Sequence, residues 1–94
     1  EGQIAGCCTM TRQTEAVGWI SKLFVHRNFR RRGVGRLLLR TALREARDRG
    51  QIRVGLQTRS IFVEAVKLYE SEGWERGPDL PEGYGPDRTY WKNL

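Results

Sequence analysis

Ninety-four residues with a formal charge of +6 and a sequence pI near 10.0 leave room for one small core, read here as a single domain over residues 1–94. At 38% hydrophobic and 30% charged, the sequence holds only short apolar runs, which excludes a transmembrane helix, and no signal-peptide pattern opens it. The cation excess suits an anionic partner, whether nucleic acid, an acidic membrane surface or a phosphorylated small molecule.

The chain starts at Glu1 rather than a methionine and reads as an excerpted piece, with an element expected upstream. Residues 2–10, GQIAGCCTM, alternate small and apolar side chains and predict a strand. Cys7 and Cys8 are adjacent in it, so their side chains point to opposite faces. Adjacent cysteines rarely bridge, and no C-x-x-C pattern supports a metal site. Both read as small strand residues in a reducing, cytoplasmic compartment, with a reactive thiol as the alternative.

A polar turn over 11–15 leads into AVGWISKLFV, residues 16–25. Its alternation sets Val17, Trp19, Ser21, Leu23 and Val25 on one side, and Gly18, Ile20, Lys22 and Phe24 on the other. That pattern predicts a strand, paired with the first as a hairpin. A loop follows over 26–31.

From 33 to 49 the period changes. Val34, Leu38 and Ala42 form one row and Leu39, Leu43 and Ala46 a second, an apolar stripe suited to a helix on a sheet, stopped by Gly50. IRVGLQT, residues 52–58, predicts the next strand, and the Gly55 inside it marks a close approach or a bend. Residues 61–73, IFVEAVKLYESEG, predict a second helix with Phe62, Val66 and Tyr69 on one face beside Ala65. A short strand at Trp74, a segment with three prolines and three glycines, and a last strand over 88–94 complete the order β-β-α-β-α-β. The strand–helix–strand crossover makes the second and third strands parallel neighbours, and the outer strands add antiparallel pairs. The fold class is a mixed, mostly antiparallel α/β sheet around a central parallel β-α-β unit.

Nine arginines but only two acids, Glu45 and Asp48, lie from His26 to Arg49. Several crowd the start of the first helix, where the helix dipole is already positive, so an anion is expected among them. The first turn leaves backbone N–H groups without helical partners, and Gly33 and Gly35 let an anion approach the backbone. Arg30, Arg31, Arg32 and Arg36 can neutralise it, and a pyrophosphate suits so many convergent donors. No Walker loop is present, and the dinucleotide fingerprint fails at Leu38. What remains is R-x-x-G-x-G: Arg30, Gly33, Gly35. Arg40, Arg44 and Arg47, at helical spacing opposite the leucines, read as a solvated face.

On these residues the chain resembles the GCN5-related N-acetyltransferases. LFVHRNFRRRGVGRLLL is similar to that family's acetyl-CoA motif, and EAVKLYESEGW to its following A-x-x-L-Y-x-x-x-G-[FW] motif, in the right order with a strand between them. The resemblance covers about residues 19–74. It implies the acyl-CoA N-acyltransferase fold, without the strand and helices that such proteins carry at the N-terminus. It also implies acetyl transfer from acetyl-CoA to an amine by direct attack, without a metal. Leu23, Phe24 and Val25 would pair with the pantetheine arm where their strand diverges from its neighbour. Backbone groups of Arg31, Arg32, Gly33, Val34, Gly35 and Arg36 would hold the pyrophosphate. Tyr69 matches the family's general acid, against the alternative of a core tyrosine.

For a general base the match lapses. The positions where members of the family carry a glutamate or a helix-starting asparagine hold Gln57, Phe62 and Trp19, leaving Glu15, Glu64, His26 or a water molecule open; His26 reads better as structural. Two other functions stay in view: a non-catalytic acyl-CoA-binding module on the same fold, and a basic nucleic-acid-binding domain. The arginines cluster at one helix start rather than interleaving with aromatics, so no specific nucleic acid is expected, and no membrane. The expected partner is a small-molecule or peptide amine acceptor, and a homodimer is left open.

Overall fold

Thr14 closes the first hairpin: its hydroxyl accepts from the amides of Ala16 (3.3 Å) and Val17 (3.1 Å), a side-chain turn of the kind threonine favours. In the computed structural model, which describes residues 6–30, 33–81, 83 and 85–94, that turn joins β1 (Gly6–Arg12) to β2 (Val17–Val25). A 3-10 turn, Arg27–Phe29, leads to α1 (Val34–Asp48), then β3 (Arg53–Thr58), α2 (Val63–Ser71), β4 (Glu75–Arg76) and β5 (Arg88–Asn93). The five strands form one sheet in the order β1-β2-β3-β5-β4. Only β2 and β3 are parallel; the other pairs are antiparallel, as the predicted mixed sheet requires.

The alternation read for β2 breaks in its middle. Thr9 pairs with Lys22 and Met10 with Ile20, so Ser21 is an extra residue on β2, its hydroxyl donating to the Thr9 carbonyl at 3.3 Å. One inserted residue reverses the facing of everything after it. Ile20 is therefore buried in the core and Leu23 packs against the same core, although alternation had assigned them opposite sides.

The bulge also marks where β2 leaves β3. The parallel ladder runs from Val17↔Arg53 to Ile20↔Leu56 and goes no further. Beyond it β2 stays paired with β1 as far as Val25, while β3 continues with β5 as far as Thr58. The two parallel neighbours thus splay apart at their C-terminal ends.

Ile20, Leu56 and Tyr90 lie side by side across β2, β3 and β5 and are all buried. Against them pack Leu39, Ala42 and Ala46 of α1 and Val66 and Tyr69 of α2. Fully burying a side chain such as Leu39 stabilises the fold by about 1.5–3 kcal/mol. The adjacent row, Trp19, Gly55 and Trp91, faces the other way, with the indoles edge to face at 5.6 Å and the Arg53 guanidinium 4.0 Å above Trp91. Gly55 is required there: a β-carbon would collide with both rings, approaching Trp19 to 2.7 Å.

α2 begins later than the apolar pattern predicts. Phe62 (φ −83°, ψ 73°) precedes the helix and is 54% exposed, so it does not join the buried face of Val66 and Tyr69. The cause is a tertiary contact. Asp87 accepts from the Ser60 amide at 2.7 Å and the Ser60 hydroxyl at 2.6 Å, holding residues 59–62 in a turn.

Candidate functional site

Where β2 and β3 separate, a cleft of about 1020 Å³ opens between the end of β2, the start of α1 and one side of α2. Leu23, Phe24 and Val25 form one wall. Gly33, Val34, Gly35 and Arg36 form the head, Thr58, Ile61, Phe62, Val63 and Glu64 the far rim, and Leu68, Tyr69 and Ser71 line it from α2. The bulge at Ser21 creates this opening, because β2 past it has no β3 partner.

The helix start is built without a cap. Gly33 occupies the N-cap position in the left-handed region, φ 77°, makes no side-chain cap bond, and no acid stands in the first turn. Among the described residues the first helical rung is the Leu37 amide to the Gly33 carbonyl at 3.0 Å, and the amides of Val34, Gly35 and Arg36, which precede it, have no partner there. Three convergent donors, a positive dipole end and nearby arginines make a site fit for phosphate.

The arginines differ in what they do. Arg30 lines the cleft while its Nε donates to the Val25 carbonyl at 3.2 Å, fastening the loop to the end of β2. Arg36 lines it too, but its guanidinium lies 3.1 Å from Glu72 and donates to the Ser71 hydroxyl at 3.2 Å. Arg31 and Arg32, expected beside them, lie outside the described residues. Arg40, read from sequence as part of a solvated face, grips Glu72 with both ends of its fork at 2.8 and 3.2 Å, a pairing that links α1 to the residue after α2. That grip, with Arg36 and Lys92 adding to it, holds the Glu72 carboxyl below the usual carboxylate range despite partial burial.

Tyr69 is 5% exposed and stacks between Trp74 (5.8 Å) and Tyr90 (5.6 Å). Among the described residues its hydroxyl has no hydrogen-bond partner. Burial pushes that hydroxyl up to about 12, and the neighbouring Cys8 sulfur adds to the shift, so it keeps its proton throughout the neutral range. Cys8 is itself raised by burial, then by Cys7 and Glu45, and packs against the core.

The base candidates separate by position. Glu64 lines the cleft; Glu15 lines a different hollow, with Arg12 and Arg49. His26 caps the 3-10 turn, accepting from the Asn28 amide at 3.2 Å, with its ring against Phe29. Gln57 is exposed on β3 beside Thr89, and Trp19 packs on Trp91. Sequence reasoning missed Glu72, Leu68 and Ser71. All three stood inside the second motif, but nothing in the sequence joined Glu72 to arginines more than thirty residues earlier. No group of three or more histidine, cysteine or acidic residues among those described could hold a metal.

This architecture has known counterparts. Residues 1–74 match the acetyltransferase (GNAT) family. An IAA acetyltransferase of Azospirillum brasilense is 34% identical over 88 residues, covering 92% of this chain and 56% of that protein. N-acetyltransferase 8 of Homo sapiens is 43% identical over 54 residues, 57% of this chain and 24% of the human protein. The chain therefore spans from about a quarter to about half the length of the curated relatives it matches. Among solved structures, Ard1 from Thermoplasma volcanium superposes with a TM-score of 0.91 at 26% identity, covering 99% of this chain and 65% of that one. A GNAT family acetyltransferase from Elizabethkingia anophelis with acetyl-CoA bound shares the fold at a TM-score of 0.82 and 16% identity, over 98% of this chain and 70% of that one.

The fold is the mixed sheet of acyl-CoA N-acyltransferases. The chain belongs to the acetyltransferase (GNAT) family.

Proposed function

We propose that the protein is an N-acetyltransferase that moves an acetyl group from acetyl-CoA to an amine acceptor by direct attack. One observation carries the reading: the splay of β2 from β3 runs from an uncapped, glycine-led helix start to a protonated tyrosine hydroxyl, within one cleft. The acetyl-CoA found in the Elizabethkingia neighbour supports the choice of donor.

Backbone amides of Val34, Gly35 and Arg36, with those of the preceding loop, receive the pyrophosphate, and Arg30 stands beside it. At Leu23, Phe24 and Val25 the side of β2 turned away from β1 offers backbone hydrogen bonds to the pantetheine amides, the Val25 carbonyl being shared with Arg30. The bound donor supplies an activated thioester carbonyl, attacked by the neutral amine. As the carbon–sulfur bond breaks, its electron pair stays on sulfur, and Tyr69 gives that sulfur its proton. The amine nitrogen sheds one proton as the amide forms, to Glu64 or to water, and Tyr69 is reprotonated from solvent. The products are the N-acetylated acceptor and the free CoA thiol.

An assay of free thiol released from acetyl-CoA, run on the full-length protein against panels of small amines and peptide N-termini, tests this reading. Amine-dependent release, with the acetylated acceptor identified by mass spectrometry, is the expected result. Tight CoA binding with no release for any amine would instead favour a non-catalytic acyl-CoA-binding module.

A further inference from the structure

Arg36 stands between two possible partners. In the structure its Nε is 3.1 Å from the Glu72 carboxylate and its Nη2 donates to the Ser71 hydroxyl at 3.2 Å. Yet it belongs to the first turn of α1, where side chains lean toward the helix N-terminus, and it lines the cleft together with Val34 and Gly35.

What makes its position informative is that neither partner depends on it. Arg40 occupies both Glu72 oxygens, at 2.8 and 3.2 Å, so Glu72 remains paired if Arg36 departs. Ser71 has its own bond, donating to the Leu68 carbonyl at 2.9 Å. An ion pair whose cation is 47% exposed is weak, and a diphosphate, with one charge on each phosphate, seated among helix amides competes with it strongly.

We propose that Arg36 is a transferable arm: it rests on Glu72 while the cleft lacks an anion and passes to the diphosphate of the acyl donor, with Arg40 keeping Glu72 paired. This rests on the acetyl-CoA reading above and goes beyond it, because it gives binding roles to two residues outside the cleft. Glu72 is the resting partner. Arg40 is a positioning residue that acts only through Glu72. Without Arg40, the departure of Arg36 would leave a carboxylate that is 14% exposed with only the more distant charge of Lys92, whose Nζ donates to the Glu72 backbone carbonyl at 2.9 Å, so Arg36 would be held back and the donor would bind less tightly.

The test is a calorimetric titration of CoA into the full-length protein and its Arg36→Ala, Arg40→Ala, Glu72→Gln and Arg40→Ala/Glu72→Gln variants, with thermal unfolding recorded for each. Arg36→Ala is expected to weaken CoA about tenfold, the size of a lost charge-assisted contact. Arg40→Ala should weaken it about fivefold in the presence of Glu72 and not at all in the Glu72→Gln background, the coupling expected of neighbours in one network. Glu72→Gln alone should bind CoA as well as wild type or more tightly.

An Arg40→Ala penalty that is equal in both backgrounds, or absent in both, overturns the proposal. So does a Glu72→Gln loss as large as that of Arg36→Ala, or a fall in affinity that merely tracks melting temperature across the set. Arg40→Lys, which keeps the charge but not the two-pronged grip, is the variant to use should Arg40→Ala unfold, with an intermediate penalty expected. Wild-type protein that does not bind CoA removes the acetyl-CoA reading along with this one; normal wild-type binding with additive variants removes this one alone.

Discussion

Gly35 in the first turn of α1 stands directly against Leu68 of α2: a β-carbon on the glycine would lie 3.1 Å from Leu68 Cδ2 and 3.5 Å from Val25 Cγ2. The second glycine of the motif therefore lets three elements meet at the head of the cleft.

Gly35→Val tests that contact. Valine would overpack the junction, at a cost of about 1–3 kcal/mol, and would tilt the helix start away from β2. Urea denaturation should give a midpoint lowered accordingly, together with weakened CoA binding. Unchanged stability would mean that α1 and α2 have slack at this point.

Gly33 answers to a different constraint. A β-carbon there meets nothing within 4 Å among the described residues, but φ of +77° disfavours any side chain, asparagine least. Gly33→Asn should cost little in CoA affinity, whereas Gly33→Asp, similar in shape but anionic, should cost more than about tenfold, or 1.4 kcal/mol. Arg44→Ala, on the exposed side of α1, serves as the control and should bind as wild type does. Equal affinities for the aspartate and asparagine variants, measured by titration, would put the phosphates elsewhere.

Tyr69→Phe keeps the ring between Trp74 and Tyr90 and removes only the proton. Turnover should fall by roughly a hundredfold or more, as for a lost general acid, with acetyl-CoA affinity nearly unchanged. Turnover like that of wild type would leave Tyr69 a core residue.

The same hydroxyl predicts a pH effect. Its folded value is raised from 10.0 to about 12, so its share of stability is intact below pH 10 and is lost as pH rises toward 12, where the unfolded chain releases the proton and the folded one resists. Wild type should lose stability across that window more steeply than Tyr69→Phe in chemical denaturation. Matching slopes would argue that the hydroxyl is solvated.

Asp87 works in the opposite sense. Its hydrogen bonds from the Ser60 hydroxyl and amide lower its folded value beneath 3.8, so its contribution is present above that pH and disappears as acid carries the solution down through the folded value. Asp87→Asn should flatten that acid limb of stability while loosening the turn before α2. An acid limb unchanged by the substitution would show that the Ser60 contact does not form in solution.

Much of this architecture was legible because its causes are local. The change from period two to period 3.6 at residue 33, the glycine stops and the crossover rule yield the strand and helix order and the parallel β2–β3 pair. The glycine-led start of α1 could be read from Gly33 and Gly35 followed by a leucine stripe. The rest depends on contacts distant in sequence. Ser21 carries no mark of a bulge, yet that one residue turns Leu23 to the core and ends the β2–β3 ladder. The late start of α2 is decided by Asp87, 27 residues beyond Ser60. Arg40 is exposed, as its spacing suggested, but its pairing was not legible because Glu72 lies 32 residues on.

On the proposed reading, an acyl-CoA lies in the splay with its diphosphate on the first turn of α1. The most direct measurement is a titration of CoA into ¹⁵N-labelled protein, followed through its amide resonances. The account predicts that Gly33, Val34, Gly35 and Arg36 shift most, with Leu23, Phe24 and Val25 next and Trp91 unmoved. Saturable shifts centred on the Trp19–Trp91 face, or no shifts with millimolar CoA, would contradict it.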